Sequence, residues 1–191
     1  CCCVASNNTI VTAGDDHMCR IWNIENSPGN SGSFVAMQDG ELIGHSAPVM
    51  ALSLNPRQPW ICSASKDGSC KIWDLRTKKI LLDIPIVDGL SGVGSTASPN
   101  NLTYKKECRG CCYGPDGSYL YTMQITGPKR GSTYLVKWEI TQAEGNGDDK
   151  KIEAKPMKVV QVCDSPSTRL TINDQGDFLA IGDSNGTIRI Y

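Results

Sequence analysis

Three residues of types that catalyse hydrolysis lie close together in this chain of 191 residues: His45, a serine at position 63 or 65, and Asp67. Together such residues can form a nucleophilic triad, in which the histidine removes the proton of the serine hydroxyl. Both serines, however, fall inside a predicted strand rather than on the strand-to-helix turn that exposes a nucleophilic serine. We therefore interpret the set as structural, and no other nucleophile and base pair supports an enzyme with bond-making chemistry.

These residues belong to a pattern that recurs along the chain. Residues 63–74 read Ser-Ala-Ser-Lys-Asp-Gly-Ser-Cys-Lys-Ile-Trp-Asp, and related runs occupy 13–22 and 181–191. In each run an Asp or Asn lies six residues before the aromatic that closes a strand; these residues are Asp16, Asp67 and Asn185. The pattern resembles the WD40 repeat, whose four-stranded blades stack around an axis as a β-propeller.

The resemblance implies a buried hydrogen-bonded chain in the complete blade. Asp67 accepts from His45 in that chain, and His45 bonds the hydroxyl of Ser63 or Ser65. The same hydroxyl meets the indole N–H of Trp73, so that each buried polar group has a partner. The corresponding structural residues of the other blades are Asp16, Trp22 and Trp138.

The sequence therefore predicts an all-β fold, a partial WD40 β-propeller with about four blades or parts of blades out of a probable seven. The predicted division is the end of a blade at 1–24, a loop insertion at 25–40, a blade at 41–75, a WD40-like blade at 76–140 with an insertion at 88–101, a loop insertion at 141–153, and a truncated WD40-like blade at 154–191. Segments 79–86 and 157–163 are expected to be the outer strands of the blades that follow them. Because the chain lacks an initial Met and stops on Tyr191, we expect a fragment.

Charge and cysteine content narrow the functional classes. The net charge is −1, from 19 basic and 20 acidic residues, which disfavours a nucleic-acid partner held by a basic surface. Ten cysteines, several of them at regular strand positions, indicate free thiols in a reducing compartment. The Cys108-x-x-Cys111 pair could suggest zinc, but a structural zinc site needs a second pair at suitable spacing. We expect no metal or cofactor in this chain.

A more specific resemblance comes from the third repeat. Residues 106–114, 119–130 and 134–138 combine a Cys-rich strand, a Pro-Lys-Arg loop and a Tyr-Leu-x-x-Trp strand. Together with 170–182 and the closing Tyr191, this arrangement is similar to the Sec12 family. Membership would imply the cytosolic propeller of an endoplasmic reticulum membrane protein, anchored by a segment absent from this chain. Its partner would be the small GTPase Sar1, which it would activate by guanine nucleotide exchange for COPII vesicle formation.

The Sec12 resemblance assigns few functional roles to individual residues of this chain. The exchange loop of that family is not matched here, so no catalytic residue is assigned, and exchange is expected of the full-length protein rather than of this fragment. Lys129 and Arg130 are the candidate partner-binding residues, because they lie in the loop that distinguishes the third repeat. The alternative function is a WD40 scaffold or adaptor without exchange activity, since a fold does not fix a function.

Overall fold

The structure, a computed structural model, describes residues 1–6, 8–27, 32–87, 106–126, 132–143 and 151–191. Within these ranges every regular element is a β-strand. The strands are β1 (Cys2–Ser6), β2 (Thr9–Ala13), β3 (Cys19–Asn26), β4 (Phe34–Leu42), β5 (Val49–Leu54), β6 (Trp60–Ser65), β7 (Ser69–Asp74), β8 (Lys79–Pro85), β9 (Glu107–Tyr113), β10 (Tyr119–Thr126), β11 (Ser132–Ala143), β12 (Lys151–Cys163), β13 (Ser167–Ile172), β14 (Leu179–Asp183) and β15 (Ile188–Ile190).

The strands form four antiparallel sheets in which neighbours in sequence are neighbours in space. Blade 1 contains β1–β4, blade 2 contains β5–β8, blade 3 contains β9–β12, and blade 4 contains β13–β15. The first strands of successive blades, β1, β5, β9 and β13, lie next to one another. Four-stranded antiparallel sheets that are repeated side by side in this way form a partial β-propeller, which confirms the predicted fold class.

The outer strands belong to different blades than the sequence suggested. Strand β8 pairs with β7 of blade 2, and β12 pairs with β11 of blade 3, so each closes the blade that precedes it. The assignment of 79–86 and 157–163 to the following blades was therefore wrong. A short turn at 75–78 returns the chain directly beside β7, and antiparallel neighbours are the usual result of such a connection.

Parts of two segments that the sequence assigned to loops are strands. Strand β4 begins at Phe34, inside the predicted loop 25–40, and it pairs with β3. Residues 141–143 and 151–153, inside the predicted loop 141–153, extend the hairpin of β11 and β12. Strand pairing continues there because backbone groups are satisfied by the partner strand whatever the side chains are. The predicted insertion at 88–101 lies outside the described residues.

Buried apolar side chains hold the blades together at three successive interfaces. Between blades 1 and 2, Trp73 and Ile61 pack with Val11 and Ile21. The interface of blades 2 and 3 is the largest and includes four buried cysteines; these are Cys62, Cys70, Cys108 and Cys111. Met123, Leu179 and neighbouring residues fill the interface of blades 3 and 4. A blade cannot cover both of its faces alone, so stacking supplies its core.

The turn between the second and third strands of a blade requires a backbone with positive φ. Gly68 supplies it in blade 2 and Gly186 in blade 4, with φ of 89° and 80°. Blade 1 places His17 at the equivalent position, with φ of 69°. A side chain in this left-handed region crowds the backbone, at a cost of about 1–2 kcal/mol. The turn of blade 1 therefore carries local strain that glycine avoids in the other two turns.

Replacing His17 by glycine should increase the free energy of unfolding by about 0.5–1 kcal/mol, because relief of this strain exceeds the entropy that glycine loses on folding. Urea denaturation of His17→Gly and of the unmodified chain would measure the difference. The reverse change in blade 2, Gly68→Ala, is the matched control and should destabilise, since an added Cβ would lie 3.3 Å from the Lys106 carbonyl oxygen. A loss of stability in His17→Gly would contradict the left-handed turn.

Candidate functional site

The side chains of His45, Ser63, Asp67 and Trp73 form one continuous hydrogen-bonded chain, which we call the blade 2 brace. His45 Nδ1 lies 2.7 Å from Asp67 Oδ2, and His45 Nε2 lies 2.7 Å from Ser63 Oγ. The Trp73 indole N–H donates to Ser63 Oγ at 2.8 Å. Since the carboxylate can only accept, His45 carries its proton on Nδ1 and accepts the Ser63 hydroxyl proton on Nε2.

The structure distinguishes the two serines that the sequence left open. Ser63 joins the brace, whereas the Ser65 hydroxyl donates to the backbone carbonyls of Ala47 and Pro48 at 2.9 and 3.0 Å. Ser65 thus ties the end of β6 to the connection between blades 1 and 2. Ser63 is fully buried, and the His45 side chain is 1% exposed, so no substrate carbonyl can reach the hydroxyl. This geometry braces the blade and leaves no exposed nucleophile.

Burial sets the protonation of the brace. Burial lowers the pKa of His45 below its usual value, and this effect exceeds the opposing influence of the Asp67 carboxylate. Burial alone would raise the pKa of Asp67, but hydrogen bonds from Ser69, His45 and the Ser46 backbone outweigh it, and the pKa is lowered. A neutral imidazole beside an ionised carboxylate is therefore the resting state, which matches the hydrogen-bond directions of the brace.

The contact between a tryptophan and a hydroxyl recurs in two further blades. The Trp22 indole N–H donates to Thr12 Oγ1, and that of Trp138 donates to Thr122 Oγ1, both at 2.8 Å. In each case the hydroxyl residue lies two positions beyond the direct cross-strand partner of the tryptophan. Sequence analysis did not identify either threonine. A search for Ser or Thr ten or sixteen residues before each tryptophan would have found them.

Blades 1 and 4 lack the full brace. Asp16 pairs with Arg20 rather than with a histidine, and that hydrogen bond lowers its pKa. In blade 4 the closing aromatic is Tyr191, and the buried Asp183 accepts from Arg189 at 2.7 Å. This hydrogen bond lowers the pKa of Asp183 to about 2. The Asp183–Arg189 pair stabilises the last turn, and sequence analysis missed it.

The cysteines of the Cys108-x-x-Cys111 motif lie in the interface of blades 2 and 3 rather than at the surface. Cys108 Sγ is 3.0 Å from Cys70 Sγ, and Cys111 donates to the Cys62 carbonyl oxygen. All ten cysteines are free thiols. Among the described residues, no group of three or more His, Cys, Asp or Glu side chains is arranged to hold a metal ion. The same residues include no helix that is long and apolar enough to cross a membrane.

One end of the blades, which we call the loop end, is built from turns that are hydrogen-bonded to the segments leading into blades 2 and 4. The Val49 N–H donates to the Gly14 carbonyl, and the Lys66 N–H donates to the Pro48 carbonyl. The turn of blade 4 repeats this contact, with the Ser184 N–H donating to the Pro166 carbonyl. These hydrogen bonds fix the positions of the turns, so side chains at the loop end are presented on a rigid frame.

Apolar and charged side chains are exposed together at the loop end. Ile43 is 65% exposed in the connection between blades 1 and 2. Asp15 and Ser46 are also exposed, and Lys66 is half-buried in the adjacent turn. An apolar side chain on an ordered backbone can supply an anchor for a partner protein. Lys129 and Arg130, the candidate partner-binding residues from the sequence, lie outside the described residues.

The sheets and the matched repeats define the class of this molecule as a partial β-propeller that carries WD40 repeats. The WD40 family model (WD domain, G-beta repeat) matches residues 1–23 and 38–74, which cover most of blades 1 and 2. The chain is 26% identical over 174 residues to the Protein LST8 homolog of Drosophila melanogaster, covering 89% of this chain and 46% of that protein. It thus spans about half the length of that relative.

Other relatives carry names from ribosome biogenesis. The chain is 22% identical over 162 residues to Ribosome biogenesis protein bop1 of Danio rerio, covering 77% of this chain and 20% of that protein. Over 80 residues it is 36% identical to the Ribosome biogenesis protein WDR12 homolog of Dictyostelium discoideum, covering 41% of this chain and 16% of that protein.

These relatives overturn the resemblance to the Sec12 family. The relatives named above are LST8 and ribosome biogenesis WD proteins, and none of them supports a Sec12-type exchange factor. One of the sequence features that suggested Sec12 follows from blade geometry instead. The Tyr-Leu-x-x-Trp run is the middle of β11, whose Trp138 contacts Thr122 as Trp73 contacts Ser63. Sar1, the exchange activity and the endoplasmic reticulum location rested on that resemblance and lose their support with it.

Proposed function

We propose that this chain is part of a WD40 scaffold that binds partner proteins through its loop end. The observation that carries the proposal is the exposed Ile43 in the connection between blades 1 and 2, together with the turns of Asp15 and Lys66, which backbone hydrogen bonds hold in place. The resemblance to LST8 and to ribosome biogenesis WD proteins supports the same class of function. The polar groups of the blade 2 brace are hydrogen-bonded to one another inside the blade, so they are not available to a partner protein.

The expected interface has an apolar centre and a charged rim. Ile43 supplies apolar area, and opposite charges at Asp15 and Lys66 select a partner of complementary charge. Because the supporting backbone is already ordered, binding would cost little loop entropy, which favours a specific complex. The scaffold would therefore act by holding partners in a fixed arrangement.

Replacing Ile43 by aspartate should weaken partner binding by about tenfold or more, because a buried charge would replace an apolar contact at the centre of the interface. Affinity capture from cells that express the protein, followed by quantitative mass spectrometry, would compare the unmodified chain with Ile43→Asp. Partners that are lost in the variant can then be titrated individually.

The matched control is Met157→Asp on the outer strand β12, where an apolar side chain is 52% exposed. This variant introduces the same charge at a similar exposure far from the loop end, and its partners should be retained. Equal retention of every partner by Ile43→Asp and Met157→Asp, with both proteins folded, would reject the loop end as the binding surface.

A further inference from the structure

The inner strands border an open cavity that the proposed scaffold function does not use. Strands β1, β5, β9 and β13 face the propeller axis, and a cavity of about 250 Å³ lies between them. Its walls include Leu52 from β5, Arg109 from β9, and Arg169 from β13. The cavity is separate from the loop end, since none of the residues that define that surface lines it.

The lining of this inner cavity is cationic. It contains two arginines and no carboxylate among the described residues. Arg109 Nε donates to Glu107 Oε2 at 2.6 Å, and no described group is bonded to the two terminal nitrogens of its guanidinium. Arg169 is exposed and forms no ion pair with any described residue. One carboxylate therefore offsets two guanidinium groups, and several N–H donors remain available.

The two arginines lie on strands that are in contact. An added Cβ on Gly110 would lie 3.2 Å from Leu170 Cβ, so β9 and β13 meet at the residues next to Arg109 and Arg169. Both arginines line the same cavity, so two positive charges lie along its wall. Like charges repel unless an anion lies between them, and the apolar walls at Ala51 and Leu52 strengthen that interaction.

We propose that the inner cavity binds a phosphate group, with Arg109 and Arg169 as its ligands. The terminal nitrogens of each guanidinium form a planar fork that can donate two parallel hydrogen bonds. A tetrahedral phosphate offers enough oxygens for two forks that approach from different strands, whereas a carboxylate offers a single edge. The ligand class is free phosphate or a small phosphate monoester, which a cavity of about 250 Å³ accommodates.

Titration of the protein with inorganic phosphate would test this site. The midpoint of thermal unfolding should rise with phosphate concentration and saturate, relative to sodium chloride of equal ionic strength, because a ligand of the native state stabilises it. Isothermal titration calorimetry would supply the dissociation constant. In Arg169→Gln the affinity should fall by about tenfold or more, since hydrogen bonds to a charged group are lost.

Arg169 is the informative position because it is exposed, so its replacement should leave folding unchanged. Arg57→Gln, at an exposed arginine in the turn between β5 and β6, is the matched control and should retain full affinity. Arg169→Lys keeps the charge without the planar fork and should bind with intermediate affinity. Equal midpoint shifts with phosphate and chloride, or equal phosphate affinity in Arg169→Gln and Arg57→Gln, would overturn the proposal.

Discussion

Replacement of Trp73 by alanine should lower the free energy of unfolding by about 3–5 kcal/mol, the range measured for large aromatic side chains in protein cores. Trp73 is 1% exposed, packs between blades 1 and 2, and donates its indole N–H to Ser63. The substitution therefore removes packing on two blades and leaves a buried hydroxyl with one partner fewer. Urea denaturation followed by circular dichroism would measure the loss.

Trp22→Ala is the matched control for this experiment. Trp22 makes the same hydrogen bond, to Thr12, but it is only half-buried, and no described blade covers its face. We expect a loss of about 1–2 kcal/mol, because less apolar area leaves water on folding. Trp73→Phe keeps most of the packing if the alanine variant fails to fold. Equal losses in Trp73→Ala and Trp22→Ala would show that packing between blades is not what Trp73 contributes.

Replacement of His45 by alanine should lower the free energy of unfolding by about 2–4 kcal/mol at neutral pH, because it deprives two buried groups of a partner. The ionised Asp67 loses one of its hydrogen-bond donors, and the Ser63 hydroxyl loses its acceptor. His17→Asn is the matched control: His17 is the other histidine of the chain, and asparagine tolerates its left-handed backbone. That variant should retain nearly full stability.

The contribution of His45 to the free energy of unfolding should fall as the pH is lowered. Its pKa in the folded chain is lowered from 6.5, so the unfolded chain takes up a proton more readily as the pH falls below that value. The stabilisation is present above pH 6.5 and is lost as the pH falls toward the folded pKa. Asp67, whose pKa is lowered from 3.8, adds a second loss at more acidic pH.

Urea midpoints at pH 7.5 and pH 5.5 would test this dependence. The unmodified chain should lose stability between the two values, and His45→Ala should lose less, because the buried titrating group is gone. The His17→Asn control should keep the pH dependence of the unmodified chain. An identical change in the unmodified chain and in His45→Ala would mean that His45 does not titrate as the brace requires.

Local sequence patterns were sufficient to predict most strands. Alternating apolar residues and glycine turns predict strands at 9–13 and 49–54, which match β2 and β5, and at 60–63, 69–75 and 119–125, which match β6, β7 and β10 to within two residues. These strands are marked by turn residues at their ends and by buried apolar residues, which lie on both faces in β6 and β7. Strand β4 carries no such signal, since residues 34–39 are exposed, and its pairing with β3 satisfies the backbone instead.

Family resemblance was less reliable than local pattern. The runs 119–130 and 134–138 suggested a particular exchange factor, although Leu120, Leu135 and Trp138 are buried core positions of blade 3. Threonines 12 and 122 went unnoticed because a hydroxyl two positions from a cross-strand pair has no fixed spacing from its tryptophan: the separations are 10 and 16 residues. Loop length between strands changes the spacing without changing the contact.

The sequence by itself determined the repeat, the all-β class and the residues of the blade 2 brace, because these depend on spacings within one hairpin or one blade. Only the tertiary structure decided to which blade each outer strand belongs and which serine is bonded to His45. It also showed that Arg109 and Arg169 line the same cavity. Those features join residues of separate strands and blades, and their separation along the chain bears no relation to their distance in space. Stacking of the blades brings them together, and no local pattern encodes it.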